Sequence, residues 1–254
     1  MTNYKTDALQ AFQILSSGGI AILPFSVGYG VVATDPTALH RIFTTKQRGS
    51  HKRHAMLGSY ALHREIHLLP DLQLDMVRTL TVDLDLPLGV VAPFRVDHPL
   101  IRKLEEYTVE VRDTSSSTGD IKTTPLLSLS SMNDTLSMLV NAGPLPDELV
   151  RLTSQAGLPL MGSSANLSGQ GTKVRVSDIE PEILAAADIV LDYGLCPLHW
   201  PRASSTMFDF KTMRVIRFGA CYDVVQDALR RFYGLDLPDD PGKQVLFSGR
   251  TNSM

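Results

Sequence analysis

Apolar residues follow two patterns along this chain, one typical of strands and one typical of helices. Short apolar runs bounded by turn residues predict buried strands at residues 20–23, 31–33, 87–94, 136–141, 158–161 and 189–191. Apolar residues at helical spacing predict helices at residues 7–16, 99–107, 146–156, 179–187 and 222–232. Asp35 before Pro36 predicts one more helix start, and residues 205–217 predict a hairpin. Because strands and helices alternate, we expect an α/β fold around a sheet.

Two segments depart from this alternation. Residues 112–131 are rich in Ser and Thr, which predicts a flexible loop or insertion, either at the surface or as a lid over a site. Residues 238–254 are expected to form a C-terminal tail, which leaves residues 1–237 as a single domain. A chain of 254 residues with 43% apolar content is long enough to bury a full core.

Charge and cysteine content narrow the function classes. The formal net charge of −3 argues against the overall basic field of a dedicated nucleic-acid binder, so any attraction for phosphate must be local. Cys196 and Cys221 match neither a disulfide framework nor a zinc spacing, which favours a reducing compartment and predicts no metal site. No apolar window is long enough to span a bilayer. We expect a cytoplasmic protein without a membrane partner, and no feature indicates an oligomeric state.

A cluster of small polar residues follows the strand predicted at residues 158–161. In the stretch MGSSANLSGQG, Ser164, Asn166 and Ser168 can each donate and accept hydrogen bonds without steric bulk. Such residues at the carboxyl end of a strand suit the rim of a nucleotide site. Ser, Asn and Gly are also the residues of any tight turn, so a purely structural turn is the alternative interpretation.

A basic cluster follows the helix that starts at Pro36. Lys46, Arg48 and Lys52 lie close together around Gly49, where a bidentate guanidinium and two ammonium groups can hold a polyphosphate. The alternative is a solvated basic helix end that complements the helix dipole.

Trp200 lies shortly before the predicted hairpin. Its indole can stack on an adenine or serve as an aromatic anchor for its own loop.

Several short elements follow one another in an order that resembles the YrdC/Sua5 family. They are Pro24, Tyr29-Gly30, Lys-x-Arg with a further Lys (Lys46, Arg48, Lys52), Ser-Ala-Asn-x-Ser-Gly from Ser164, Ser-Thr-x-x-Asp from Ser205, and Arg-x-Gly-Ala from Arg217. The resemblance covers roughly residues 8–70 and 136–230. It implies a twisted mixed α/β sheet with flanking helices and a concave basic surface.

The resemblance also implies an activity. It is that of an ATP-dependent nucleotidyltransferase, which condenses L-threonine, bicarbonate and ATP into threonylcarbamoyl-AMP and pyrophosphate with the help of Mg²⁺. That product feeds threonylcarbamoyladenosine formation, so partners from tRNA modification are expected. By the same carry-over, Lys46 and Arg48 are the catalytic residues. The nucleotide-binding residues are Lys52, Ser164, Asn166, Ser205 and Arg217.

The chain departs from the family pattern where the amino-acid acceptor is expected. The segment from Pro24 to Gly30 has Phe25 and Val27 in place of two threonines, and together with Tyr29 these residues are the predicted acceptor pocket. Apolar side chains cannot hydrogen-bond threonine, which points to a different amino acid or other amine as the acceptor. Three alternatives remain at this point. Phe25 and Val27 can be core residues. The chain can instead be a non-catalytic RNA- or tRNA-binding module, or a degenerate homologue without catalytic activity.

Overall fold

The computed structural model describes residues 3–46, 54–112 and 121–242. The helices in these ranges are Tyr4–Ser16 (α1), Pro36–Thr45 (α2), Tyr60–Ile66 (α3), Asp71–Arg78 (α4), Pro99–Glu106 (α5), Leu126–Ser130 (α6), Pro144–Gln155 (α7), Pro181–Ala185 (α8) and Tyr222–Tyr233 (α9). The strands are Ala21–Phe25 (β1), Gly28–Ala33 (β2), Ala55–Gly58 (β3), Leu88–Pro93 (β4), Thr108–Arg112 (β5), Ile121–Pro125 (β6), Ser131–Met132 (β7), Thr135–Val140 (β8), Met161–Ser164 (β9), Ile189–Val190 (β10), Thr206–Asp209 (β11) and Arg214–Arg217 (β12). A π-helical turn at Thr79–Asp83 continues α4, and a 3-10 turn lies at Val176–Asp178.

Ten of these strands form one mixed sheet. The order across it is β10-β1-β2-β9-β3-β8-β4-β11-β12, with β7 paired to β8. The pairs β1–β10, β3–β8 and β4–β11 are parallel, and the others are antiparallel. Helices α1, α2 and α7 pack against the strands, and one apolar core contains side chains from all these layers. The predicted mixed α/β fold is confirmed.

The start of α2 shows how local sequence fixes an element. Asp35 lies at the N-cap, and its carboxylate accepts hydrogen bonds from the backbone N–H of Thr37 at 2.9 Å and Ala38 at 3.1 Å. Pro36 occupies the first turn, where no N–H partner is needed. The predicted helix start is therefore confirmed.

Strand β1 extends beyond the apolar run that predicted it. The sequence pattern ends the strand before Pro24, whereas β1 continues through Pro24 to Phe25 and returns as β2 after a tight turn. Strand β10 pairs only with Ala21 and Ile22 of β1, so Pro24 lies on an open edge where its missing N–H costs no ladder bond. Because β2 also pairs with β9, the hairpin lies next to β9.

The Ser- and Thr-rich segment differs from its prediction. Instead of a loop throughout residues 112–131, strands β5 and β6 form an antiparallel pair from Thr108 opposite Pro125 to Arg112 opposite Ile121. Helix α6 follows directly. Threonine is β-branched and favours strands, which the composition argument overlooked. Residues 113–120 lie outside the described residues.

The described part of the predicted tail contacts the rest of the chain. The Tyr222 hydroxyl donates to the carbonyl oxygen of Pro238, and Arg202 Nη2 lies 2.6 Å from Asp240 Oδ1. Among the described residues, no helix has both the length and the apolar character needed to cross a membrane.

Candidate functional site

The turn between β1 and β2, formed by Ser26 and Val27, is where the segments of interest meet. The Ser26 N–H donates to the carbonyl of Ala142 at 2.7 Å, directly after β8. The Ser26 carbonyl accepts from Leu198 N at 2.8 Å, and the Val27 carbonyl accepts from Ser204 N at 2.9 Å. The turn therefore holds the segment that leads into the Ser-Thr-x-x-Asp element.

Tyr29, two residues further on, holds the Ser-Ala-Asn element through its backbone. Its carbonyl accepts from Ala165 N at 2.8 Å, and its N–H donates to the carbonyl of Lys173 at 2.7 Å. Gly30 pairs with Ser164 across β2 and β9. Two polar elements that are distant in sequence are thus anchored within a few residues of one turn.

Lys46 is buried against the backbone of the Ser-Ala-Asn element. It follows α2 and is only 1% exposed, and its Nζ donates to the carbonyl of Ser164 and, at 2.5 Å, to the carbonyl of Asn166. Its own carbonyl accepts from Ser168 N at 3.1 Å. These hydrogen bonds of Lys46 hold the Ser164–Ser168 segment in place. Arg48 and Lys52, the other members of the basic cluster, lie outside the described residues.

Two side-chain atoms of this segment are buried with unused hydrogen-bonding capacity. Among the described residues, nothing pairs with Asn166 Oδ1 or Ser168 Oγ, although Asn166 Nδ2 donates to the carbonyl of Leu167 at 2.5 Å. A buried polar atom without a partner costs about 1–3 kcal/mol. Two such atoms, two residues apart in the chain, therefore indicate a place where a polar ligand or water completes the hydrogen bonding.

Arg217 is hydrogen-bonded to Ser205, which follows the Ser204 that donates to the Val27 carbonyl of the turn. Its Nε donates to the Ser205 carbonyl at 2.9 Å, and its Nη2 donates to Ser205 Oγ at 3.1 Å. The residue is exposed as a whole, yet the burial of its guanidinium lowers the pKa from its ordinary value. A Cβ on Gly219 would lie 2.3 Å from the Ser205 carbonyl carbon, which explains the glycine of the Arg-x-Gly-Ala element.

The predicted acceptor-pocket residues are largely buried. Phe25 is 7% and Val27 4% exposed, and the Phe25 ring covers Gly30 so closely that an added Cβ would lie 2.1 Å from its Cε2 atom. The Tyr29 hydroxyl lies 2.9 Å from both Asp192 Oδ1 and the carbonyl of Gly194, and burial raises its pKa. The structure brings these three side chains to the same hairpin, and their role in binding an acceptor stays a prediction.

An open groove borders this hairpin. It has a volume of about 380 Å³ and is lined by Pro24, Phe25 and Ser26 together with residues 143–146 and 193–197 and Tyr4. A second cavity of about 400 Å³ lies against α9, away from the hairpin, and has an acidic lining that includes Asp223, Asp227 and Asp239. Of these two cavities, the groove at the hairpin is the one lined by a predicted site residue, Phe25.

Sequence inspection missed one titratable group near the turn. Burial raises the pKa of Asp147 to about 7, and the nearby negative charge of Asp85 adds to the effect. Asp147 lies in the first turn of α7, where an acidic residue is ordinary for a helix start, so no sequence signal marks it. Within the described ranges, no group of three or more His, Cys, Asp or Glu side chains is arranged to hold a metal ion.

Known proteins were compared with the chain at the levels of sequence and of structure. No family model and no curated protein matches its sequence. Sua5 from P. abyssi, solved in complex with L-threonine, is 16% identical, with 92% of this chain and 59% of that chain covered and a TM-score of 0.64. The chain has the fold of Sua5. The fold predicted from the resemblance is therefore confirmed, and the chain spans about 59% of that protein's length.

Two further structures share this fold. The hypothetical protein smu.1377c from Streptococcus mutans is 18% identical, with 90% of this chain and 92% of that chain covered and a TM-score of 0.67. Full-length HypF, solved in a phosphate- and nucleotide-bound form, is 15% identical, with 85% of this chain and 29% of that chain covered and a TM-score of 0.54. The structural overlap establishes the Sua5-like fold. At identities this low, activity needs separate evidence.

Proposed function

We propose that the protein is an ATP-dependent nucleotidyltransferase, which forms a carbamoyl-adenylate from ATP, bicarbonate and an amine. The observation that carries the proposal is the pair of buried atoms, Asn166 Oδ1 and Ser168 Oγ, that lack partners among the described residues. They lie in the segment that Lys46 supports, next to the hairpin that also anchors Ser204. The ligands of two structures of the same fold, L-threonine on Sua5 and a nucleotide on HypF, support this choice.

The reaction requires positioning more than covalent help from the protein. The amine and bicarbonate combine with loss of water to give a carbamate, and a carbamate oxygen then attacks the α-phosphorus of ATP. The bond from the α-phosphorus to the bridging oxygen breaks, and pyrophosphate leaves with that electron pair. Because negative charge accumulates on the departing pyrophosphate, donors and cations placed around it lower the barrier.

The described residues have distinct roles in this proposal. Asn166, Ser164 and Ser168 bind the nucleotide, and Ser205 with Arg217 forms the opposite side of the site. Lys46 holds the carbonyls of Ser164 and Asn166 and so fixes the binding segment in place. Arg48 and Lys52 remain the proposed polyphosphate clamp.

Mg²⁺ enters this proposal bound to ATP. The described part of the chain has no acidic metal cluster, and Glu180, which accepts from Leu167 N, is already paired with Lys173 at 2.7 Å. Because Mg²⁺ is commonly held by substrate phosphates and one or two carboxylates, the donors that this chain offers fit a phosphate-bound ion better than a resident one.

The acceptor is proposed to be an amine other than threonine. Phe25 and Val27 supply no hydrogen bond for a hydroxyl group, and Phe25 also borders the groove of about 380 Å³. A groove of this size can receive a small organic side chain. Threonine use with a place in tRNA modification is the alternative acceptor assignment, and the amine panel below separates the two.

The direct test is pyrophosphate release from ATP, bicarbonate and Mg²⁺ with a panel of amines that includes L-threonine. We expect amine-dependent release, and we expect Asn166→Ala to reduce kcat/KM at least tenfold by removing a ligand contact. Ser177→Ala, which alters an exposed serine bonded to Asp178, is the matched control and retains activity. No release with any amine, together with salt-sensitive binding of tRNA, would replace the enzyme proposal by an RNA-binding module.

A second experiment addresses the acceptor. In the double variant Phe25→Thr and Val27→Thr, two hydroxyl groups return to the hairpin, and we expect threonine-dependent release to rise relative to the native chain. An unchanged preference among amines would show that these positions do not set acceptor specificity.

A further inference from the structure

Trp200 is a large apolar side chain, so its exposure to water is energetically unfavourable. At 71% it is the most exposed of the large apolar side chains in the described part of the chain. An aromatic anchor for the loop would be buried, so the structure does not support that interpretation of this residue. An indole carries a large apolar surface, and leaving it in water sacrifices favourable burial. A ligand that covers the ring would recover this burial.

The loop that carries Trp200 stands on the turn between β1 and β2. Leu198 donates to the Ser26 carbonyl at 2.8 Å, and Ser204 donates to the Val27 carbonyl at 2.9 Å. The two ends of the loop are therefore held by adjacent residues, with Trp200 between them.

Side-chain contacts hold the loop on both sides of Trp200 as well. His199 Nδ1 lies 2.7 Å from the Cys196 carbonyl, and Arg202 Nη2 lies 2.6 Å from Asp240 Oδ1. The loop is thus fixed at residues before and after the indole. A fixed backbone reduces the entropy lost when an exposed ring takes up a ligand.

The loop ends at the proposed nucleotide site. Ser204 has a left-handed backbone with φ of 76°, and it leads directly into Ser205, to which Arg217 is bonded. Trp200 is four residues from Ser204, so its backbone lies within about 14 Å of that residue even if the chain between them is fully extended. This chain length allows the loop to border a nucleotide bound at Ser205.

We propose that Trp200 stacks on the purine base of the bound ATP and so raises the affinity of the site for the nucleotide. This inference rests on the proposed function. A planar indole and a purine base match in shape, and base-to-aromatic stacking contributes about 1–3 kcal/mol per base. Loss of the ring is therefore expected to weaken ATP binding by about 5- to 150-fold.

The single tryptophan of the chain makes the test direct. Intrinsic fluorescence is titrated with ATP and, separately, with inorganic triphosphate, while equilibrium dialysis measures ATP binding independently. We expect ATP to quench the emission and triphosphate to leave it nearly unchanged. Trp200→Ala is expected to weaken ATP binding by the stated factor without lowering the melting temperature, and Trp200→Phe is expected to retain most of the affinity.

Phe232→Ala serves as the matched control because it removes another exposed aromatic ring, 63% exposed on α9, and it should leave ATP binding unchanged. If dialysis shows ATP binding while the emission and the Trp200→Ala affinity do not change, the stacking proposal is overturned and the proposed function stands. If dialysis shows no ATP binding at all, the proposed function fails as well. Quenching by single-stranded RNA but not by ATP would overturn the proposal in favour of RNA binding.

Discussion

Replacing Lys46 with methionine separates a positioning role from a direct role in catalysis. The Lys46 ammonium is 1% exposed and donates to the carbonyls of Ser164 and Asn166. Methionine has a similar length and no donor, so Lys46→Met leaves both carbonyls without this partner. If Lys46 positions the segment, the variant must lose both stability and nucleotide affinity.

The size of the stability loss follows from the contacts. Hydrogen bonds to a charged group contribute about 1.5–3 kcal/mol each. Part of the loss is regained because methionine, unlike an ammonium ion, needs no desolvation when it is buried. We therefore expect a net decrease of about 2 kcal/mol in the free energy of unfolding. For a chain of this size that corresponds to a melting temperature roughly 4–8 °C lower.

The assay combines thermal unfolding with ATP binding on the same samples of native protein, Lys46→Met and Lys46→Arg. Arginine retains a charge and donors, so its stability is expected to lie between the other two. An unchanged melting temperature in Lys46→Met, with ATP turnover lost, would refute the positioning argument. That result would show that the ammonium acts on the substrate, as the family resemblance implies.

Three further changes test other contacts. Because the pKa of Asp147 is raised to about 7, its ionisation destabilises the folded state as pH rises from about 4 to 7. Asp147→Asn is therefore expected to be more stable than the native chain at pH 8 by roughly 2–4 kcal/mol. In urea titrations this difference is expected to vanish near pH 4. The Nδ1 atoms of His63 and His67 are 2.7 Å apart, and burial lowers the two pKa values to about 4 and about 3. The pH dependence of stability that this pair causes therefore has the opposite sign to that of Asp147. Its contribution is lost as pH falls from 6.5 toward 4, and the double variant His63→Leu and His67→Phe is expected to flatten that part of the urea-midpoint profile. Gly219→Ala forces a Cβ to 2.3 Å from the Ser205 backbone, and we expect a loss of about 3 kcal/mol in chemical denaturation; a melting curve like that of the native protein would contradict the close approach.

The fold could be predicted largely because its elements depend on local patterns. The N-cap at Asp35 and the apolar stripes of α7 and α9 place those helices within a few residues of their observed bounds. The position of the Ser-rich strand is harder to predict. The apolar run predicts a strand at residues 158–161, whereas β9 spans Met161–Ser164. Its serines belong to the sheet because Ser164 pairs with Gly30, a long-range contact that no local pattern encodes.

The candidate site could be predicted only as a set of pieces. Motif order indicates that Lys46, Asn166, Ser205 and Arg217 belong to one site, but it gives no direction for their side chains. The structure points the Lys46 ammonium at backbone carbonyls, whereas sequence reasoning assigned it to phosphate. Whether a lysine faces solvent or a buried carbonyl depends on tertiary packing, which single-sequence patterns do not contain.

Under the proposed function, the packing of Phe25 gives a change of acceptor specificity at this position a structural cost. Its ring lies against Gly30, whose missing Cβ leaves room for it, and the same glycine pairs with Ser164 of the proposed nucleotide segment. Replacing Phe25 with threonine removes the whole buried ring, which costs about 3 kcal/mol or more when the cavity does not collapse. The space over Gly30 that the ring leaves lies directly beside the nucleotide segment. A Phe25 variant that gains threonine use is therefore expected to lose stability, because the same substitution alters the proposed acceptor pocket and the packing over Gly30.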